Sequence, residues 1–479
     1  MLKVLKMNIN FISIVFCILF FNVSIGQEKR GIQTISKPNI ILIVADDLGW
    51  GDVGFNGQTK IKTPNIDILA KEGIVFNNFY SGSTVCGPSR ASLLTGKHTG
   101  HSSVRENPHF TLSGTPVDIQ KEDITIAEEL KKAGYVCGMI GKWGLAENLK
   151  EGRPNKQGFD YFYGFNKHAN AHHYYPDSIY LNENRIRIDG NNWENKKKNY
   201  IQDIFSEKAK MFMTDNKNAP FFLYLAYTTP HYELTVPKDS KEPYLKKDWP
   251  LRVMKPKHYL HDKNGHVTYA AMVSRLDKQI GELMEQLKFL ELEENTLVIF
   301  TSDNGHEYDN VKNEFFNSNG PYRGKKRDLY EGGIKMPFVA KFPNRIKAGT
   351  TSNHISSFWD VLPTFCDIAH TPVTTDTDGI SFVNALLGNE NKQKKQDYLY
   401  WEFNERKGPM QAIRKGKWKA VKRFNKKIEL YDLEKDISEK NNCALRNPLV
   451  IEEVEVLFKT SRTDHPEFPL IKKEKKKHK

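Results

Sequence analysis

Asn39-Ile-Ile-Leu-Ile-Val-Ala45 is an unbroken apolar run, and it ends in Asp46-Asp47-Leu-Gly-Trp-Gly-Asp52. A stretch that is apolar at every position fits a strand buried on both faces, the habit of parallel sheets covered by helices. Two adjacent carboxylates at the end of such a strand are costly to bury unless hydrogen bonds or a cation compensate them. A capped turn accounts for the pair; so does a hard-metal site built from oxygen ligands.

The pattern recurs down the chain. Ile74 to Phe79, Tyr135 to Ile140, Phe221 to Tyr227, Thr296 to Thr301 and Met336 to Phe342 read as strands. Thr63-Pro64 opens a helix that runs through about Lys71 and stops at Gly73; further helices are expected over Ile124–Ala133, Val267–Leu290 and Ser357–Ala369. In the longest, Val273, Leu276, Ile280, Leu283 and Leu287 recur at alternating spacings of three and four, one apolar face of a helix. Alternating strands and helices predict an α/β fold, a mostly parallel sheet with helices on both faces. Ligands of such sheets bind beyond the carboxyl ends of the strands. At those ends stand Asp46 and Asp47, then Gly141-Lys142-Trp143-Gly144-Leu145, Thr229-Pro230-His231 and Ser302-Asp303-Asn304-Gly305-His306. Gly158 to Phe165, continuing through Ala171-His172-His173-Tyr174-Tyr175-Pro176, is rich in aromatics and histidine without a clear period, and is expected to be an ordered loop over the site.

Between the first two strands and the rest lies Cys86-Gly-Pro-Ser-Arg90-Ala-Ser-Leu-Leu-Thr-Gly96. A cysteine after small residues, followed by Pro88 at an expected first helical position, places a nucleophile at a helix start. The first turn offers unpaired N–H groups and the positive end of the helix dipole, where anions settle. Arg90 adds a fixed cation whose planar fork fits tetrahedral oxyanions. Ala91, Leu93 and Leu94 are expected to face a core. The plain alternative is a buried cysteine before an ordinary helix.

This segment resembles the signature of the type I sulfatases, Cys-x-Pro-Ser-Arg-x-Ser-Leu-Leu-Thr-Gly, at every specified position. The resemblance implies an alkaline-phosphatase-like fold and hydrolysis of sulfate esters. It implies that Cys86 is converted to formylglycine by a maturation enzyme, and that one calcium ion is held by Asp46, Asp47, Asp303, Asn304 and an oxygen of modified Cys86. Such an oxygen-rich shell suits calcium better than zinc. The resemblance also implies catalytic roles for Arg90, Lys142, His231 and Lys326. Lys326 is selected over Lys325 because the family pattern puts its lysine five residues before Glu331-Gly-Gly333. His172 and His306 are candidate substrate contacts. One position departs from the family: many sulfatases carry a histidine after Gly-Lys-Trp that helps deprotonate the diol, and here Gly144 has no side chain. His172 is the first candidate to replace it. The Gly-Lys-Trp-Gly-Leu and Ala-His-x-Tyr-Tyr-Pro elements resemble a subgroup acting on sulfated galactose or N-acetylgalactosamine.

Length and composition are consistent with one large domain and a smaller one. The chain has 479 residues, 39% of them hydrophobic, and a formal net charge of +13. The expected division is a signal segment over 1–26, a catalytic domain over 27–375 and a C-terminal α+β subdomain over 376–479 with a basic tail. The subdomain is read from strand-like pieces at Tyr398–Phe403, Gln411–Arg414, Trp418–Lys422 and Glu429–Asp432, and a helix over Leu449–Thr460, with Asp376 to Gly388 as the link. Lys3 and Lys6, an apolar stretch over Ile9–Val23 and Ser24-Ile-Gly26 read as an export signal, so the mature protein is expected in the periplasm or outside the cell, without stable membrane insertion. Beyond Cys17 and Cys86 only Cys137, Cys366 and Cys443 remain, enough for one disulfide at most. The positive balance favours an anionic substrate, expected to be a sulfated saccharide; no basic-aromatic module points to nucleic acid. Two rival readings carry less of the pattern. A phosphate mono- or diesterase of the alkaline phosphatase superfamily would use Ser or Thr with a His-rich two-metal site. An inactive secreted carbohydrate-binding homologue would not need the intact acidic and basic set.

Overall fold

The computed structural model describes residues 37–470 except 109, 149, 193–195, 256–258, 309–314, 406 and 407. The signal segment over 1–26 and the basic run over 472–479 lie outside the described residues.

Sixteen strands and ten helices follow one another in the described chain. The strands are Asn39–Asp46 (β1), Ile74–Tyr80 (β2), Val136–Lys142 (β3), Tyr161–Phe165 (β4), Ser178–Leu181 (β5), Asn184–Arg187 (β6), Asn191–Asn192 (β7), Lys196–Lys197 (β8), Phe221–Pro230 (β9), Thr296–Ser302 (β10), Phe338–Lys341 (β11), Thr350–Ser357 (β12), Leu399–Phe403 (β13), Met410–Lys415 (β14), Trp418–Arg423 (β15) and Glu429–Asp432 (β16). The helices are Pro64–Glu72 (α1), Cys86–Thr95 (α2), Ile126–Lys132 (α3), Ile201–Asp215 (α4), Lys238–Leu245 (α5), Gly265–Phe289 (α6), Glu331–Ile334 (α7), Val361–Ile368 (α8), Val383–Leu386 (α9) and Pro448–Thr460 (α10).

Ten strands form one sheet in the order β12-β2-β11-β10-β1-β9-β3-β4-β5-β6. The central five, β10-β1-β9-β3-β4, are all parallel. β11 runs antiparallel between β10 and β2, and β5 and β6 add an antiparallel edge. All eight residues of β1 are buried, and the pleat sends them alternately to two cores. Ile41 and Ile43 join α4 and α6 residues such as Phe205, Met213, Val273 and Ile280 on one face. Ile40, Leu42 and Val44 join Leu93, Leu94, Leu130, Leu362 and Phe365 on the other. This double burial is why the run is apolar at every position rather than alternating.

The second sheet is antiparallel, β13-β14-β15-β16. One face packs Trp401, Met410, Ala412 and Val421 against Tyr80, Val85, Ile334 and Trp359. The other is covered by Val454 and Phe458 of α10. The Trp401 indole N–H donates to Ser81 O at 2.9 Å, fixing this sheet behind the turn that leads into α2.

Three local expectations change. The aromatic stretch after Gly158 is not all loop: Tyr161–Phe165 is β4, paired in parallel with β3 from Gly138↔Tyr161 to Lys142↔Phe165. The stretch from Asp376 to Gly388 is not a bare link, because it carries α9 and buries Phe382, Ala385 and Leu386 in the core of the large sheet. Cys86, not Pro88, is the first residue of α2, after an extended Val85; Pro88 still sits in the first turn, where a missing N–H costs nothing. Cys86, Cys137, Cys366 and Cys443 are all free thiols. Among the described residues no helix is long and apolar enough to cross a membrane.

Candidate active site

Five adjacent parallel strands deliver their next residues to one edge. β10 leads to Asp303 and Asn304, β1 to Asp46 and Asp47, β9 to His231, β3 ends on Lys142, and β4 is followed at a distance of three residues by His168. The register holds them level: Ala45 pairs with Ser302 and Asp46 with Pro230. The sixth contribution comes from α2, whose first residue is Cys86. Ser89 of that helix donates its hydroxyl to Asp303 O at 2.6 Å, pinning the helix start to the strand edge. At the far end Gly96, at φ 70°, closes the helix in the left-handed conformation that glycine adopts freely.

The side chains interlock. Lys142 Nζ lies 2.6 Å from Asp46 Oδ2, and Lys326 Nζ 2.7 Å from Asp47 Oδ2. Arg90 donates from Nε to Asp303 Oδ2 at 2.9 Å and from Nη1 to Lys142 O at 2.9 Å. Asn304 Nδ2 donates to Asp47 Oδ1 at 2.6 Å, and the Asp47 N–H to Asp303 Oδ1 at 3.2 Å. Asp46, Asp47, Cys86 and His231 each offer a ligand atom, and these atoms all lie within 4.8 Å of one another. His231 Nε2 is 3.4 Å from Asp47 Oδ2, while its Nδ1 contacts Tyr232 O. A carbonyl only accepts, so Nδ1 carries the hydrogen and Nε2 faces the cluster.

Burial sets the charge states. It raises the Asp46 carboxyl by itself, but Lys142, His231 and Arg90 outweigh it and hold that group far below the usual carboxylate range. Asp303 is pushed up to about 7 by burial and by the neighbouring Asp46 charge, despite Arg90. Burial opposes the charges on Lys142 and Lys326, yet Asp46 and Asp47 respectively keep both ammoniums above the ordinary lysine value. The Cys86 thiol is pushed up to about 12 by burial, so an unmodified cysteine here is a poor nucleophile. Burial also lowers His231, His172 and His168, in the last case with Lys142 adding to the effect.

Two buried oxygens in this crowd, Asp46 Oδ1 and Asn304 Oδ1, accept no hydrogen bond from the protein. Buried oxygens left open beside like-charged carboxylates are what a hard cation relieves, so the residues present fit an oxygen-coordinated metal. Asp303 is engaged on both oxygens, by Arg90 and by the Asp47 N–H, and lies beside that opening rather than wholly within it.

The remaining candidates divide. His172 is in the site: its ring stacks on His231 with centroids 3.9 Å apart, its Nδ1 lies 2.8 Å from Tyr259 Oη and its Nε2 3.4 Å from Lys142 Nζ. His306 reaches the site through its backbone, its carbonyl accepting from the Lys326 N–H at 3.2 Å, and the buried ring Nδ1 has no hydrogen-bond partner. Glu307, which pairs with Lys326 at 3.2 Å, and His168, whose Nε2 is 3.8 Å from Cys86 Sγ, were not singled out from the sequence. His168 follows a strand end as Lys142 and His231 do, and recognising β4 as a strand would have found it.

Residues 38–371 match the family described as Sulfatase. The chain belongs to the sulfatase family. Its reaction is the hydrolysis of a sulfate ester. Residues 323–459 match a second description, N-sulphoglucosamine sulphohydrolase, C-terminal. An N-acetylgalactosamine-6-O-sulfatase of Bacteroides thetaiotaomicron is 31% identical over 91% of this chain and 95% of its own length. The solved structure named Ps i-CgsB superposes with a TM-score of 0.76 at 32% identity, covering 90% of this chain and 94% of that one, and is also known in complex with k-i-k-neocarrahexaose. The phosphonate monoester hydrolase of Agrobacterium radiobacter, at 20% identity and a TM-score of 0.64 over 88% of this chain and 95% of that one, shares the fold alone. This sulfatase therefore has the α/β architecture, a mostly parallel sheet between helices, that its strand pattern announces.

Proposed function

We propose that this sulfatase cleaves sulfate esters of galactose- or N-acetylgalactosamine-type saccharides, using formylglycine made from Cys86 and one calcium ion. The observation that carries the reading is the buried Cys86 at the start of α2, within 4.8 Å of a carboxylate oxygen each of Asp46 and Asp47, in a cluster that also holds Arg90, Lys142 and Lys326. When present, the hydrated aldehyde supplies a hydroxyl nucleophile and the ion supplies positive charge beside the sulfuryl group. Asp46, Asp47, Asp303, Asn304 and residue 86 would hold that ion. Arg90 orients the nucleophile from within its own helix. Lys142 and Lys326, kept charged by their carboxylate partners, neutralise the sulfuryl oxygens as charge builds on them. His231 Nε2 passes a proton to the departing sugar oxygen, because Nδ1 is committed to Tyr232 O. His172 and His306 contact the sugar. The galactose class follows from the Gly-Lys-Trp-Gly-Leu and Ala-His-x-Tyr-Tyr-Pro elements and from the names of the Bacteroides and carrageenan-oligosaccharide relatives. Export and a formylglycine-generating partner complete the reading.

The test is sulfate release from a panel containing 4-nitrophenyl sulfate and the 4- and 6-sulfates of galactose, N-acetylgalactosamine and glucose. Preferential release from the galactose or N-acetylgalactosamine members supports the proposal. Preference for the glucose sulfates overturns the substrate class, and release from none overturns the function.

A further inference from the structure

Hydrolysis at residue 86 needs a group that takes a proton there, and the structure narrows which one can. Arg90, Lys142 and Lys326 are cations held charged by carboxylates, and a charged ammonium or guanidinium has no lone pair to offer. His231 presents Nε2 to Asp47. His172 presents Nε2 to the Lys142 ammonium, which can only donate, so that lone pair is occupied and Nδ1 donates to Tyr259 Oη. His231 also brings a ring nitrogen within 4.8 Å of Cys86 Sγ, but its Nε2 is engaged by Asp47; His168 has Nε2 at 3.8 Å from Sγ in hydrogen-bond contact, and its Nδ1 is buried without a hydrogen-bond partner.

Position 144 explains why His168 fits there. Gly144 has φ +72°, a conformation that strains any L side chain. A Cβ on it would point at His168 Nδ1, 3.6 Å away, and at Lys142 Cε, 3.7 Å away. The space beside Lys142 that a side chain at 144 would enter is thus occupied from the neighbouring strand, by the imidazole that follows β4. The side chain is supplied across the sheet rather than along β3.

We infer that His168, through Nε2, is the proton acceptor for the hydroxyl of residue 86 in the step that releases sulfate, in the place that Gly144 leaves without a side chain. The inference rests on the formylglycine reading above. In that step the O–H bond of the free hydroxyl breaks and its proton goes to Nε2. The electron pair becomes the second bond of the aldehyde C=O, and the bond from the same carbon to the sulfate oxygen breaks with its pair leaving on sulfate. The imidazolium then returns its proton to water, so no oxidant or further reactant is needed. His172 is reassigned from this role to positioning Lys142 and the sugar.

The test is rapid-quench kinetics on wild type, His168→Ala and His168→Gln, with the panel substrate that wild type hydrolyses fastest, alongside the mass of the quenched peptide spanning residue 86. The expected result for both variants is one equivalent of alcohol per enzyme at close to the wild-type rate. Turnover then slows by on the order of 10²–10⁴-fold, and sulfate accumulates on the residue-86 peptide. Wild-type turnover in either folded variant, or slowing of both phases with no sulfate on the peptide, overturns the assignment. If residue 86 of wild type is an unmodified thiol, or wild type hydrolyses no panel member, it is the sulfatase chemistry that fails, a distinguishable outcome that removes this inference with it.

Discussion

Two buried knots of charge lie in this molecule, and they are finished differently. One surrounds Glu331, where α7 meets the four-stranded sheet. Glu331 Oε1 accepts from Lys419 Nζ at 3.0 Å and Oε2 from Tyr80 Oη at 2.7 Å, with Arg414 at 3.6 Å and Lys335 at 3.9 Å completing the set. A second carboxyl, Glu439, accepts from the Glu331 N–H at 2.8 Å; burial pushes it up to about 8, so at neutral pH its own proton neutralises it. The other knot surrounds Asp46 and Asp47 at the strand edge. It is just as buried, yet Asp46 Oδ1 and Asn304 Oδ1 are left without partners. Glu331 is saturated by the protein and joins two sheets. The strand-edge cluster is saturated in part only, and a carboxylate oxygen of Asp46 lies within 4.8 Å of Cys86 Sγ at the helix start. Burial of charge is therefore not what marks the site: the Glu331 knot keeps one open oxygen too, Glu439 Oε1, but on a carboxyl that holds its own proton, whereas the strand-edge knot leaves open an oxygen of the ionised Asp46 carboxylate.

Breaking each knot should have a different signature. Cys86→Ala removes a small buried side chain next to the open oxygens. We expect turnover to fall by at least about 10⁴-fold while the melting temperature stays close to wild type. Retained turnover would separate residue 86 from the chemistry.

Glu331→Gln should do the reverse. It leaves Lys419, wholly buried, without its counter-charge, and breaking a buried ionic knot costs about 3–5 kcal/mol. Denaturant titration measures that loss, and the activity per folded molecule should stay at the wild-type value. An unchanged midpoint would mean that the network is not structural.

Asp46→Asn tests the open knot as a cation site. Calcium content should fall from one per chain toward zero, with a drop in kcat/KM on the order of 10²-fold. For wild type freed of metal, added calcium should raise the melting temperature, by about 2.7 kcal/mol of stability at a hundredfold excess over Kd. The same addition should leave Asp46→Asn unmoved. Equal calcium in both proteins would contradict the assignment.

The last way to test the comparison concerns Glu439 and is read only in the pH dependence of stability. Its folded value near 8 lies above the ordinary 4.5, so the native state holds a proton that the unfolded state gives up between those values. Stability present below pH 4.5 is progressively lost as the pH rises to 8. Glu439→Gln should flatten that decline, leaving the variant more stable than wild type at pH 9 and equal to it at pH 4. Parallel pH profiles would remove Glu439 from the comparison.

Much of this was legible in the chain, because burial on both faces writes itself as unbroken apolar runs. β1, β9 and β10 could each be read so, and the rule that ligands sit beyond strand ends then gathered Asp46, Asp47, His231, Asp303 and Asn304. Lys142 came by the same route and Lys326 from the family resemblance, which puts a lysine five residues before Glu331. What escaped was β4. Tyr161-Phe-Tyr-Gly-Phe165 is short, broken by Gly164 and flanked by more aromatics, so neither period nor composition separates it from a loop. Missing the strand concealed its end, and His168 with it. The sequence reading takes His172 as the imidazole that stands in for a side chain at 144; the inference above places that role at His168, four residues earlier, which the unread strand end hides. The Glu331 knot was invisible for another reason: Lys419, Arg414 and Glu439 come from three separate elements that only the packed second sheet brings together.

The most direct test of the account is the mass of the peptide spanning residue 86, from protein produced with a formylglycine-generating enzyme and purified with calcium. The account predicts an aldehyde or its hydrate at that position, in protein that releases sulfate from the panel. A peptide that still carries the cysteine thiol in protein that nonetheless releases sulfate would contradict it.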